Sequence, residues 1–175
     1  MQKKTMEDLQ RLSSDAYKLQ AKTPLIVILD NLRSALNVGS AFRTADAFAL
    51  EGLALCGISA QPPHREILKT ALGAEHSVDW SYFADSIDAV KHYQSKGYKV
   101  LAVEQAADST MLQDFSWPEA PVAIVFGNEV DGVADELMQI VDGCIEIPQF
   151  GTKHSLNVSV SMGIVIWELF KKNKL

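Results

Sequence analysis

Three separated segments of this 175-residue chain gather side chains that could bind and align a polar ligand. The first, DNLRSALNVGSAFRTADAF, carries Asn37, Gly39 and Arg43. Asn37 suits the N-cap of the helix that follows, and Gly39 and Ser40 are small enough to let another chain or a ligand come close. Arg43 stands nearly two helical turns past Asn37, with Gly39 and Ser40 at the preceding positions on its face, so its guanidinium can reach back toward the helix start. The plainer alternative is a surface pair with Asp46, worth little. The second segment, GNEVDGV, sets Asn128, Glu129 and Asp131 between Gly127 and Gly132. A glycine at the carboxyl end of a strand lets backbone approach a flat ligand such as adenine, although Asn, Asp and Gly also build ordinary turns. Neither G-x-G-x-x-G nor G-x-x-x-x-G-K-[ST] is present, which weighs against NAD and ATP. The third segment, GTKHSLNVSVSMG, runs from Lys153, His154, Ser155 and Asn157 straight into an apolar helix pattern. Ser155 or Asn157 can cap that helix, whose free amides would also serve ligand acceptors. His154 reads as a partly exposed histidine beside a helix start rather than as a general base. Ser159, Ser161 and Gly163 predict tight packing against backbone or another helix.

The elements that must position these segments alternate. PLIVILD, LALCGI, YKVLAVE, APVAIVFG and CIEIP are short apolar runs rich in Val and Ile, as strands buried on both faces of a parallel sheet require. Between them lie the helix-like stretches VGSAFRTADAFAL, HREILKTAL, SIDAVKHYQSKG and VADELMQIV, with LNVSVSMGIVIWELFKK last. The alternation predicts an α/β domain, with a mostly parallel sheet and helices on both faces. In such sheets ligands bind beyond the carboxyl ends of the strands, where all three polar segments fall. Met6, Leu9, Leu12, Ala16 and Leu19 follow a helical spacing, predicting an N-terminal helical extension over 1–22 ahead of one domain over 23–175.

Hydrophobic residues make up 47% and charged residues 22% of the chain, the balance of a soluble globular protein. No apolar run approaches the roughly 18 residues that span a bilayer, and the N-terminus lacks a signal-peptide core, so a cytoplasmic protein is expected. Cys56 and Cys144 sit in apolar runs without metal-ligand spacing and are expected to be buried and reduced; no metal is anticipated. The net charge of −6 excludes a protein basic all over. Both ends of the chain are nevertheless locally basic and the middle acidic, which leaves room for one anion-binding face.

The ordered set N-x-G-x-x-x-R (Asn37, Gly39, Arg43), G-N-E-x-x-G (Gly127 to Gly132) and S-L-N opening an apolar helix (Ser155 to Asn157) resembles the SpoU/TrmH family. These are RNA ribose 2′-O-methyltransferases of the SPOUT superfamily. The likeness covers about residues 24–172, and KTALGAEHSVDW fits the family's run after the second strand. It implies a SPOUT-type α/β knot, in which the C-terminal segment is threaded into a trefoil, and S-adenosylmethionine as cofactor. Gly127, Ile147 and Leu156, with Asn128 and Pro148, match the cofactor-binding positions. The resemblance gives Arg43 the central role at the ribose hydroxyl. Since a guanidinium resists deprotonation, that role is better read as clamping a phosphate and stabilising a developing alkoxide. Asn37, Ser155 and Asn157 would hold arginine and ribose in place, and Glu129 would orient Arg43 or Asn37. The family works as homodimers on structured RNA, tRNA or rRNA, with the active site near the subunit boundary. A nucleobase methyltransferase or a non-catalytic RNA-binding protein on the same fold are the alternatives. With little chain outside the domain, RNA specificity falls to the N-terminal helix, to Arg33, Arg65 and Lys69, or to another protein.

Overall fold

The computed structural model describes residues 1, 3–5, 8 and 12–175. Seven strands form one sheet: β1 (Thr23–Asp30), β2 (Leu50–Cys56), β3 (Trp80–Phe83), β4 (Lys99–Val103), β5 (Thr110–Met111), β6 (Val122–Phe126) and β7 (Gly143–Glu146). The order across it is β3-β2-β1-β6-β4-β7-β5, and every pairing is parallel. Parallel pairing demands long crossovers, and among the described residues five helices lie between strands: α2 (Ala35–Ala47), α3 (Arg65–Ala71), α4 (Ala74–Ser77), α5 (Ser86–Ser95) and α6 (Asp135–Met138), while α1 (Ser14–Leu19) precedes the sheet and α7 (Val158–Lys174) follows it.

Strand periodicity divides the core into two layers. In β1, Leu25, Val27 and Leu29 face one way, packing with α2, α3 and α7. Ile26 and Ile28 face the other, toward α5 and the 133–141 segment. Both sides of the central strands are therefore dry, which explains why β1 and β6 read as unbroken apolar runs. β1 lies between β2 and β6, so the strand order changes direction at β1 and β6. The loops leaving those two strands diverge there and open a crevice.

Several elements differ from the sequence expectation. The N-cap of α2 is Ser34, whose side chain accepts from the Asn37 amide; Asn37 lies one turn inside the helix. This frees the Asn37 carboxamide for another partner. The edge strand β3, the two-residue β5 and the four-residue α4 are too short, or too half-exposed, to carry a periodic signal. VADELMQIV yields only a four-residue helix, α6. At the N-terminus, the described helix is α1; Met6 and Leu9 lie outside the described residues, and Leu12 and Leu19 are exposed. The side chain α1 buries is Tyr17, whose hydroxyl donates to Ala45 O while the Lys22 ammonium lies 3.3 Å from the ring centroid. Both cysteines are free; Cys56 is buried, which pushes its thiol up to about 12, and Cys144 is half-buried.

The last helix has two characters. Met162, Val165, Ile166 and Leu169 are fully buried in the core. Val160, Ile164 and Trp167 point outward, and a Cβ on Gly163 would meet no atom within 4 Å. Among the described residues nothing packs tightly at Gly163. Close approach occurs instead at Gly39. There α3 crosses α2, Thr70 Oγ1 donates to Leu36 O at 2.9 Å, and an added Cβ would stand 2.5 Å from Ile67 O.

Gly39→Ala sets two effects against each other. Helix propensity favours alanine by ~1 kcal/mol, whereas forcing a methyl against a backbone carbonyl costs about 1–3 kcal/mol. Because the obstacle at Ile67 is main chain, the clash is expected to win. Urea denaturation should show a net loss of up to about 2 kcal/mol, and a gain in stability would refute the close crossing.

Candidate active site

The polar groups of the crevice come from three strand ends, those of β4, β6 and β7. β6 runs into Gly127, and the loop folds back so that Asn128 N donates to Gly132 O (3.1 Å) and Gly132 N to Asn128 O (3.2 Å). Asn128 Oδ1 accepts from the amides of Val130 and Asp131, both at 2.9 Å. A Cβ at Gly127 would stand 1.9–2.1 Å from main-chain atoms of Gly132 and Val133, and Gly132 has φ +72°. Both glycines are thus demanded by the loop's own closure, whatever ligand it meets.

This closure aims Glu129 at the turn between β1 and α2. Its Oε2 accepts from Arg33 N at 3.0 Å, and its Oε1 from Ser34 N at 3.2 Å and from Asn37 Nδ2 at 2.8 Å. Burial opposes ionisation of the carboxyl. The donors, led by the Asn37 carboxamide, outweigh it and hold Glu129 below the usual glutamate range. A residue of the second motif is therefore bonded directly to a residue of the first.

The third segment closes the crevice from the other side. Asn157 is the N-cap of α7, its Oδ1 accepting from Ser159 N at 2.9 Å, which settles the choice between Ser155 and Asn157. Gln105, in the loop after β4, donates from Nε2 to His154 O at 2.6 Å and fastens the segment in place. The crevice holds about 550 Å³ and is lined by segments 103–105, 126–132 and 154–158 with Ile147, Gln149 and Ser161. That size suits a nucleoside-sized ligand.

Of the residues singled out from sequence, Gly127, Asn128, Glu129, Ile147, Ser155, Leu156 and Asn157 line this crevice. Pro148 does not; it lines a neighbouring apolar groove beside α7. Asn37 reaches the site through Glu129. Arg43 lies on the exposed face of α2, ~9 Å farther along the axis than Asn37, and does not line the crevice. Among the described residues it makes no ion pair; Asp46 instead accepts from Ser77 Oγ at 2.6 Å. His154 contributes its main-chain oxygen and is exposed. Three polar lining residues, Glu104, Gln105 and Gln149, escaped the sequence reading. For the first two the signal was available: VEQ stands at the carboxyl end of a strand, where this sheet class puts its ligands. Among the described residues no cluster of three or more His, Cys, Asp or Glu could hold a metal, and no helix is long and apolar enough to cross a membrane.

The chain is similar to a mouse (Mus musculus) tRNA (guanosine(18)-2′-O)-methyltransferase, 31% identical over 86% of this chain and 10% of that protein. It is 29% identical to the 23S rRNA (guanosine-2′-O-)-methyltransferase of Shewanella oneidensis, over 91% of this chain and 65% of the relative. It thus spans less than two thirds of the length of either. Among solved structures, an AdoMet-bound rRNA methyltransferase from Sinorhizobium meliloti superposes with a TM-score of 0.79 at 28% identity, covering 93% of this chain and 61% of that one. The family described as SpoU rRNA Methylase matches residues 24–167, which contain all three polar segments, and the chain belongs to that family.

Proposed function

We propose that the protein transfers a methyl group from S-adenosylmethionine to a ribose 2′-hydroxyl of tRNA or rRNA. The observation that carries this reading is the 2.8 Å bond between Glu129 and Asn37, which joins two family motifs beside a crevice walled by the third.

The crevice fits the cofactor on its own chemistry. Val103, Phe126, Ile147 and Leu156 offer apolar surface to a flat ring, and the 126–132 and 154–158 segments bring main chain into the lining. The cofactor supplies an electrophilic methyl group. The chain must align the acceptor and ease the loss of one proton. Asn37, fixed by Glu129, and Ser155 and Asn157 at the start of α7 present hydrogen-bonding groups for the ribose. Arg43 serves as a fork for phosphate and for the developing alkoxide.

Because Arg43 stands apart from its own crevice, we place it at the boundary between two copies of the chain. Support comes from α7: Val160, Ile164 and Trp167 are 38–49% exposed and, with Leu112, Ile147 and Pro148, border a groove of about 640 Å³. So much exposed apolar surface on one face suits a homodimer interface. On the same reading, the 147–157 segment is the threaded part of a knot. Its tie to Gln105, and its place opposite the 127–132 loop, support that reading.

Transfer of labelled methyl groups to tRNA or rRNA, followed by nucleoside analysis, should yield a 2′-O-methylated product. A base-methylated product, or equal transfer to RNA carrying 2′-deoxyribose at the modified position, would reject the reading. Arg43→Ala should lower kcat by about 10²–10³-fold while calorimetry finds cofactor affinity within about twofold; full turnover would remove Arg43 from the mechanism. Ile164→Glu should convert the species seen by sedimentation from dimer to monomer and abolish transfer.

The Glu129 tie gives a pH dependence. Its pKa lies lower folded than unfolded, so its stabilisation is complete above the ordinary value near 4.5 and is lost as pH falls through the folded value. Glu129→Gln should lower the melting temperature at neutral pH and narrow its gap to the parent below about pH 4. A gap that is constant with pH would show that the carboxylate charge contributes nothing.

A further inference from the structure

Electrostatics inside the crevice are one-sided. Its lining includes the carboxylates of Glu104, Glu129 and Asp131, yet no lysine or arginine. Glu129 is exposed and already accepts from three donors outside the crevice, and Asp131 is exposed. Glu104 is different. It stands half-buried just beyond β4, its Oε1 accepting from Gln105 N at 2.8 Å and its Oε2 from Val133 N at 3.2 Å. An added Cβ on Gly132 would lie only 2.3 Å from that Oε2, so the glycine keeps open the space the carboxylate occupies. A carboxylate has about four acceptor sites, and these amides use two. Among the described residues no cation is paired with it. A half-buried charge is screened less than an exposed one, so Glu104 dominates the field felt by an occupant.

We propose that Glu104 selects the cationic cofactor over its spent form. This rests on the reading that S-adenosylmethionine occupies the crevice. The intact cofactor carries a sulfonium and an ammonium against one carboxylate and is net positive. Once the carbon–sulfur bond breaks, its electron pair stays on sulfur, the methyl passes to the ribose oxygen, and the thioether product is neutral overall. The hydroxyl proton is released to water, which balances the charge. The attraction of Glu104 is thus spent in the transfer itself, which favours exchange of product for fresh cofactor. The carboxylate does not touch the reacting atoms in this scheme; it is a positioning and selecting group.

Isothermal titration of the full chain with S-adenosylmethionine, S-adenosylhomocysteine and sinefungin, which has an amine in place of the sulfonium, tests this without any turnover. The parent protein should bind the two cationic ligands about tenfold more tightly than S-adenosylhomocysteine, a difference of ~1.4 kcal/mol. Glu104→Gln should shrink that preference to about twofold or less by weakening the cationic ligands alone, with S-adenosylhomocysteine binding unchanged as the sign of an intact crevice. Asp131→Asn should retain the preference. Equal affinities in the parent protein, or a Glu104→Gln variant that weakens all three ligands alike, would overturn the selection. The parent titration decides even if the variant does not fold. If none of the three ligands binds, the cofactor reading itself falls; if all bind without regard to charge, only the role of Glu104 does.

Discussion

The site depends on one carboxylate that is held by chain far from it in sequence. Glu129 projects from a loop after β6 and takes three hydrogen bonds from the turn between β1 and α2, one of them from Asn37, 92 residues away. β1 and β6 are hydrogen-bonded neighbours, so their carboxyl ends emerge side by side. The sheet therefore brings the two turns together before any polar contact forms, and Glu129 then fixes their relative placement. Hydrogen bonds to a charged acceptor are stronger than neutral ones. That strength is needed here, because the residue is exposed and water competes for the same groups.

The layers were legible in the sequence because apolar runs without alternation have few homes except a parallel sheet covered on both faces. β1 and β6 met that condition and were found; β3, with its alternating half-exposed side chains, did not. Asn37 shows a subtler failure. Its residue type suits a helix cap, but Ser34 three positions earlier suits it as well, and the sequence alone cannot rank them. With Ser34 as the cap, Asn37 falls inside the first turn of α2, from where its Nδ2 donates to Glu129. Glu104 was missed for another reason. A lone acid after a strand has no motif, and only the crevice around it gives it meaning.

Charge is segregated over the surface in a way that suits the proposed substrate. The crevice carries acids and would repel a phosphate backbone. Arg33, Arg43, Arg65 and Lys69 all lie on or beside α2 and α3, and all four are exposed. RNA binding draws heavily on phosphate contacts. On the proposed reading, the backbone rests on that basic shelf, and only the ribose approaches the acidic opening. A net charge of −6 is then no obstacle to RNA binding, since these four bases stand apart from the acids that line the crevice.

The polar start and small residues of the 151–163 segment have separate causes that meet in one helix. Asn157 supplies the cap, and Ser155 and Leu156 belong to the crevice wall. One face of α7 must then enter the core through Met162, Val165, Ile166 and Leu169, while Val160, Ile164 and Trp167 on the opposite face stay apolar and partly exposed, with no atom within 4 Å of a Cβ built on Gly163. Were that outer face meant for water, Val160, Ile164 and Trp167 would be costly choices next to Gly163. Small and large residues alternating along an uncovered helix make grooves and ridges, the shape by which a second helix packs. Since Ile147 lines both the groove beside α7 and the crevice, a copy of the chain seated on this face would border the cofactor crevice directly. Catalytic completeness and dimerisation would then be one requirement, because the outer face that needs covering and the exposed Arg43 that lacks a crevice of its own are answered by the same partner.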